Sequence, residues 1–385
     1  MIEGASGLGP CHPWDYLCLQ HDLLHTKYRG DWALATADFV KTSKAMGFNS
    51  AGYEYVPAAD VPWSYLPDLF ITNASHIFQN SADYSPSFPD VFGAAFNATT
   101  DARVREWCAT DQHIGHPRVP EQVVGYYFED QGLWNVSAAR SAAAATNSTG
   151  LTDWSDAMRT LPADAPGKAA YVTWLEQRYQ SRGGLAAARR VYALPSSVRS
   201  WGDVRGWGFA TLDAFSIDVL ADDNEFLGVV AEQLFDVAAS AVRRHDPGAL
   251  VFGQRFLGND TPPPVLAAAG RHFDAISVQP SPFSFSDDGE AAASAANLAR
   301  ISALAGGRPV FVADQTTHFQ VPPGQLGPSC WEDEAGKLHF CARNATGAGN
   351  LYRDYLAELR AEPSVIGYSH CQVRRCRTER AGSSA

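Results

Sequence analysis

Two short apolar runs in the sequence are followed by acidic residues. Residues 123–128 precede Asp130 and Trp134, and residues 309–313 lead directly into Asp314. Runs of β-branched and aromatic residues of this length form buried parallel strands, and barrel enzymes carry their chemistry at the C-terminal ends of such strands. Two strand-end carboxylates near an aromatic side chain predict carbohydrate chemistry.

The acidic residues have distinct predicted roles. Asp314 would act as nucleophile or base, Asp130 as general acid, and Glu129 as the alternative acid. One carboxyl group gives its proton to the leaving oxygen, while the other is ionised and attacks the sugar or activates water. A separation of about 5 Å between the two groups gives retention, and one of about 6.5–9.5 Å gives inversion. The same acids could instead cap helices or close turns, an interpretation that the sequence leaves open.

Polar and aromatic residues near the predicted strand ends suit the recognition of sugar hydroxyls and ring faces. The predicted substrate-binding residues are Tyr127, Gln131, Trp134, Gln254, Arg255, Gln279, Gln315, His318, His370 and Gln372. Tyr127 and Trp134 could form a sugar platform, although aromatic residues of this kind are as often found in a core. The polar residues could also satisfy backbone groups of loops.

Helices and short apolar strands alternate along the chain, which predicts a parallel α/β sheet. The predicted strands lie at residues 47–53, 68–72, 123–128, 250–253, 273–278, 309–313 and 365–368. Seven strands favour a (β/α)8 TIM barrel that is incomplete at its ends, with a first strand that is absent, irregular or hidden in residues 1–20. An open doubly wound sheet is disfavoured, because no glycine-rich phosphate turn follows an early strand.

The chain shows no internal repeat or linker, so we expect one barrel domain over residues 1–385. Residues 135–165 are rich in Ala, Ser and Asn and predict an exposed insertion. Asp222, with Glu225 three residues later, predicts the start of a long helix through a capping box. The basic, polar residues 374–385 predict a disordered tail.

Composition narrows the class of partner. The net charge of -12 argues against nucleic acid or a highly sulfated glycan. A poly- or oligosaccharide is the predicted substrate, and the sequence indicates neither a cofactor nor a particular protein partner. No apolar run is long enough to span a bilayer. His21 and His25 have a metal-compatible spacing but lack a third ligand, so no metal is expected.

Sequons favour a secreted or lumenal glycoprotein, although no signal peptide is visible at the N-terminus. The sequons lie at Asn73, Asn97, Asn135, Asn147, Asn259 and Asn344. Cys330 and Cys341 flank a short polar segment and could form a disulfide bond, and Cys11 and Cys18 are a second candidate pair.

Eight segments, taken in order along the chain, carry a family resemblance. They are KYRGDW at 27–32, MGFNSAG at 46–52, FPDVF at 88–92, VGYY at 124–127, FGQRF at 252–256, DAISVQ at 274–279, VADQ at 312–315 and IGYSHCQ at 366–372. Together they resemble the agarase-like glycoside hydrolases of the large retaining (β/α)8 clan. The resemblance implies a glycosidase for a galactan such as agar, with its acid/base on strand four and its nucleophile on strand seven.

The sequence departs from that family's pattern at both strand ends. The clan ends strand four in Asn-Glu, and a direct overlay puts Asp130 at the Asn and Gln131 at the Glu. Glutamine cannot donate a proton as a carboxylic acid does. The clan ends strand seven in Glu, whereas Asp314 is shorter by one methylene. Asp at both strand ends, as in some distant agarase-like relatives, would fit Asp130 with Asp314. The alternative is a catalytically inactive barrel that only binds carbohydrate.

Overall fold

The structure is a computed structural model. It describes residues 26–52, 61–69, 71, 88–111, 116–117, 120–129, 134–137, 139–140, 153–209, 216–257, 261–279, 295–315, 318–319, 331–332, 338–339, 341–342 and 345–370.

Parallel strands form the centre of the structure. They are β1 (Gly125–Glu129), β2 (Leu250–Gln254), β3 (Phe256–Leu257), β4 (Ile276–Gln279), β5 (Val310–Gln315) and β6 (Val365–His370). β1 pairs with β2, β3 with β4, β4 with β5, and β5 with β6, all in parallel. The parallel pairing that the sequence predicts for these apolar runs is confirmed.

Contacts between backbone groups extend this sheet in both directions. The N–H of Asp274 donates to the carbonyl of Val251 at 2.8 Å, which brings the chain before β4 beside β2. Upstream of β1, isolated parallel bridges join Ala51 to Tyr65 and Tyr65 to Val123. Neighbours in the sheet therefore follow the order of the chain. A doubly wound sheet reverses that order, and the described strands show no such reversal.

Helices separate most of the strands. They are α1 (Trp32–Ala45), α2 (Ala94–Ala109), α3 (Trp154–Thr160), α4 (Pro166–Gln180), α5 (Gly184–Val191), α6 (Trp201–Arg205), α7 (Ile217–His245), α8 (Pro263–His272), α9 (Ala295–Leu304) and α10 (Ala345–Ala361). The long helix α7 begins after Ser216, so Asp222 lies inside it and the predicted capping box is wrong. None of the helices in the described ranges is long and apolar enough to cross a membrane.

Both faces of the sheet are covered, as a parallel sheet requires. Tyr126 and Phe128 of β1 belong to the large core between the sheet and the helices. Tyr127, which alternation places on the opposite face, packs in a smaller cluster with Leu66 and Phe252. The smaller cluster therefore fills the side of the sheet away from the helices.

Part of the described chain in the segment 135–165 belongs to the core, whereas residues 162–164 are exposed. Arg140, Asp153, Trp154 and Arg159 are all buried. Asp153 caps α3, because its side chain accepts a hydrogen bond from the N–H of Asp156. The buried part of this segment differs from the predicted exposed insertion, because Arg140, Asp153 and Arg159 form buried ion pairs that a composition argument cannot detect. Residues 141–152 lie outside the described residues.

Short two-residue strands lie near the large sheet. Thr110–Asp111 pairs with His116–Pro117 and Trp331–Glu332 with Leu338–His339, both antiparallel, whereas His318–Phe319 pairs with Cys341–Ala342 in parallel. A single 3-10 turn, Pro120–Gln122, precedes β1 within the described chain. Cys330, the predicted partner of Cys341, lies outside the described residues, as do Cys11, Cys18, His21, His25 and residues 374–385.

Candidate active site

The backbone register brings predicted site positions to one edge of the sheet. Glu129 is opposite Gln254, Leu257 is opposite Gln279, and Gln315 is opposite His370. Asp314 is the second-last residue of β5. Because every pairing is parallel, all these positions lie at the C-terminal ends of their strands, where barrel enzymes keep their active sites.

Other predicted positions are placed differently. His318 lies in the short strand that pairs with Cys341, beyond the end of β5. Asp130, Gln131 and Gln372 lie outside the described residues. The geometry of the site is therefore built from the side chains around β1, β2 and β4.

Trp134 orients the amide at the end of β2. Its indole N–H donates to Oε1 of Gln254 at 2.5 Å. The Trp134 ring stacks on Trp154, with centroids 6.2 Å apart, and meets Phe235 edge-on at 5.6 Å. Only 1% of Trp134 is exposed. Trp134 therefore has the contacts of a core residue, which is the second interpretation that the sequence left open. Its hydrogen bond fixes the orientation of the Gln254 side chain.

A buried ion pair lies on the Tyr127 side of the sheet, opposite the core that contains Trp134. Nη2 of Arg255 donates to Oδ2 of Asp68 at 3.1 Å, and both residues are buried. The guanidinium of Arg255 also lies 5.3 Å from the ring centroid of Tyr127. Tyr127 is buried as well, so all three side chains meet below the strand ends. Arg255 can therefore act on a ligand only through its neighbours.

Asp68 is a site residue that the sequence argument missed. It forms an isolated parallel bridge with Tyr127, directly beside β1. The available signal was a carboxylate inside the apolar run Leu66 to Ile71, because a buried acid of this kind requires a cationic partner. No local pattern identifies Arg255, which is 187 residues away, as that partner.

Polar side chains on β4 have unused hydrogen-bonding capacity. Within the described part of the chain, neither Ser277 Oγ nor Gln279 Oε1 has a hydrogen-bond partner, and both atoms are buried. The two residues are two apart on one strand, so they share a face. Buried polar groups normally have a partner, so these two atoms suit a water molecule or the hydroxyl of a ligand.

The described side chains of the site offer hydrogen-bonding groups. No group of three His, Cys, Asp or Glu residues within the described ranges could hold a metal ion. The Gln279 amide at the end of β4 can bind a hydroxyl group, whereas the Gln254 amide is buried and its Oε1 is bonded to Trp134. Backbone positions for carboxylates lie at the ends of β1 and β5.

Comparisons with known proteins find relatives at the level of structure. No family model and no curated protein sequence matches the chain. An exo-beta-agarase matches with a TM-score of 0.59 and 19% identity, over 94% of this chain and 42% of its own. The agarase AgWH50C matches with a TM-score of 0.58 and 19% identity, over 90% of this chain and 43% of its own. The protein PfGH50B matches with a TM-score of 0.58 and 19% identity, over 87% of this chain and 43% of its own.

These matches show a shared fold. The chain spans less than half the length of each of the three structures. Most of the described chain therefore follows the architecture of one part of a larger agarase-type protein.

Proposed function

We propose that this chain is a glycoside hydrolase that acts on a polysaccharide, with a neutral galactan of the agar type as the first substrate to test. One observation carries the proposal. In the parallel register the backbone of Glu129 is opposite Gln254 and that of Gln315 is opposite His370, which supports a common edge of the sheet for the proposed acids and polar groups. The fold shared with two agarases supports the choice of substrate class. The net charge of -12 favours a neutral glycan over a sulfated one.

The proposal includes closure of the sheet into a (β/α)8-type barrel. Two contacts between its first and last segments support closure. The backbone of Gly52 packs against Ser369, whose Cβ lies 3.6 Å from the place that a side chain on residue 52 would take. The rings of Phe48 and Tyr368 lie 6.5 Å apart. In a closed barrel, the ends of β1 and β5 would face each other across the mouth.

The proposed mechanism uses a carboxylate from each of these ends. Asp314 attacks the anomeric carbon or activates a water molecule, and Asp130 protonates the leaving oxygen, with Glu129 as the alternative acid. The amide of Gln279 binds a sugar hydroxyl near the bond that breaks. The buried Trp134–Gln254 hydrogen bond and the Arg255–Asp68 pair support the strand ends.

A second candidate function is carbohydrate binding without catalysis. The observation that favours it is Gln131, which stands where the agarase-like pattern has its acid/base Glu. The same purified protein can distinguish the two functions, because binding without hydrolysis leaves the reducing-end concentration unchanged.

The decisive experiment measures reducing ends released from agarose oligosaccharides, other β-galactans and β-glucans. We expect Asp314→Asn to abolish release, because the amide keeps the shape but cannot attack. Asp130→Asn should lose most activity on substrates with poor leaving groups, which need protonation. The matched control is Asp354→Asn, the same change at an exposed acid of α10 that pairs only with its neighbour Arg353 in the described chain.

Each outcome has a defined meaning. Release that survives Asp314→Asn would show that the nucleophile is assigned wrongly. Binding of oligosaccharide by calorimetry without release would support the binding-only function. If none of the tested glycans binds or is cleaved, the proposal is wrong.

A further inference from the structure

Two adjacent carboxylates lie buried in the second turn of α7 and contact different parts of the molecule. Asp222 and Asp223 are 1% and 0% exposed. Oδ2 of Asp223 accepts hydrogen bonds from Nη2 of Arg140 at 2.5 Å and from Nη1 of Arg159 at 2.7 Å. Burial raises the pKa of the Asp223 carboxyl, and the guanidinium of Arg159 opposes that rise.

Arg140 belongs to the turn that follows Trp134. The N–H of Ala139 donates to the carbonyl of Asn135 at 3.0 Å, which closes a helical turn directly after Trp134. Arg140 also pairs with Asp153, from its Nε to Oδ2 at 3.0 Å. Asp223 of α7 and Asp153, the N-cap residue of α3, therefore both hold this turn through Arg140.

A continuous set of contacts leads from α7 to the end of β2. Asp223 holds Arg140, the turn carries Trp134, and Trp134 donates to Gln254. We propose that Arg140 and Asp223 are positioning residues, which fix the Trp134 turn and, through the buried Trp134–Gln254 hydrogen bond, hold the C-terminal end of β2 in place at the proposed active site. This inference rests on the proposed function for its catalytic consequence, whereas its structural consequence can be measured separately.

Asp222 provides a matched control. It lies on the same turn of α7 and is equally buried, but its partners lie on α4, in the turn between α4 and α5, and directly after α5. It accepts hydrogen bonds from the hydroxyls of Tyr179 at 2.7 Å and Tyr192 at 3.0 Å, and it pairs with Arg178. Asp222→Asn therefore removes a buried charge next to Asp223 without touching the Trp134 turn.

The first experiment compares hydrogen exchange in Asp223→Asn and Asp222→Asn by mass spectrometry. We expect Asp223→Asn to speed exchange at least about tenfold in peptides that cover residues 134–140, because a lost charge-assisted hydrogen bond lowers the local opening free energy. Asp222→Asn should leave that peptide unchanged and speed exchange around residues 178–192. Equal effects of both variants on residues 134–140, or no effect of either, would overturn the proposal.

A second variant covers the case in which Asp223→Asn does not fold. Arg140→Lys keeps the Asp223–Arg159 contact and a positive charge, but it loses the fork geometry that reaches both Asp223 and Asp153. It should also speed exchange in residues 134–140. Unchanged exchange in this variant would count against the proposal.

The catalytic arm uses a double-mutant cycle on the glycan that the wild-type protein cleaves. If Asp223 acts through the Gln254 amide, then Asp223→Asn should add little to the loss in kcat/KM that Gln254→Leu already causes. A merely structural role would make the two losses multiply, which would overturn the positioning role. If the wild-type protein cleaves nothing, the proposed function fails, and the exchange experiment still decides the structural claim.

Discussion

The guanidinium of Arg255 reaches across strand β1 to Asp68, with Nη2 and Oδ2 3.1 Å apart. Asp68 bridges to one side of β1 at Tyr127, and Arg255 follows β2 on the other side. The pair therefore ties three neighbouring segments together beneath the proposed active site.

Breaking this pair should destabilise the protein strongly. Arg255→Met leaves the Asp68 carboxylate buried without its cation, and we expect a loss of about 3–5 kcal/mol in the free energy of unfolding. The double variant Asp68→Leu/Arg255→Met removes both charges and should recover much of that loss. Urea denaturation measures all of these variants. If the double variant loses as much free energy of unfolding as the two single variants lose together, the two residues do not interact.

Gly253 should be far less replaceable than Gly306. Both have positive φ, +64° and +70°. A Cβ on Gly253 would lie 2.1 Å from the ring of Phe273, whereas one on Gly306 would meet nothing within 4 Å. Gly306→Ala should cost about 1–2 kcal/mol from backbone strain, and Gly253→Ala should cost at least about 2 kcal/mol more, from overpacking. If the two variants unfold at similar midpoint temperatures, the close contact between Gly253 and Phe273 is contradicted.

Because of Lys168, the free energy of unfolding should change with pH in the alkaline range. Burial, with a further contribution from the Arg159 charge, lowers its pKa from 10.5 to about 8. Its Nζ donates to the carbonyls of Arg159 and Trp207. Between about pH 8 and 10.5 the unfolded chain keeps a proton that the folded protein has lost, so this residue's contribution to stability rises with pH.

The comparison variant for this effect is Lys168→Met. We expect the stability of the wild-type protein relative to the variant to increase by about 2 kcal/mol between about pH 7.5 and pH 9.5. Urea denaturation at several pH values gives the difference directly, because titrating tyrosines affect both proteins alike. A difference that stays flat or falls over this range would mean that the pKa of Lys168 is not lowered.

Sequons in the described chain should differ in occupancy if the protein is made in a secretory pathway. Asn97 is exposed on α2, whereas Asn135 is half-buried between Trp134 and Val136, which are both buried. We expect a glycan on Asn97 and none on Asn135, because a glycan on Asn135 would displace the Trp134 turn. Peptide mass spectrometry after secretory expression tests this. Full occupancy of Asn135 in an active protein would show that the site is placed wrongly.

The strands could be predicted from the sequence because their signal is local. An apolar run such as residues 309–313 identifies β5 almost to its ends, and strand–helix alternation is enough to predict parallel pairing. The positions at strand ends could be predicted in the same way, because polar residues such as Gln254 directly follow these apolar runs.

Contacts between distant residues could not be predicted in this way. Asp222 and Glu225 look like a helix start, but the helix begins at Ile217 and Asp222 pairs with residues of other elements. Asp68 and Arg255 carry no local signal that relates one to the other, and only the fold brings them together. The environment of Trp134 could not be predicted either, because its core contacts are with Trp154 and Phe235, which are distant in the sequence.

The chain-ordered sheet has a consequence for how the protein folds. β4 and β5 pair across about 34 residues and β5 and β6 across about 55, whereas β1 and β2 pair across about 125. Closing a longer loop costs more chain entropy and slows the formation of the contact. The C-terminal strands should therefore associate before the β1–β2 seam, where the Trp134–Gln254 hydrogen bond forms.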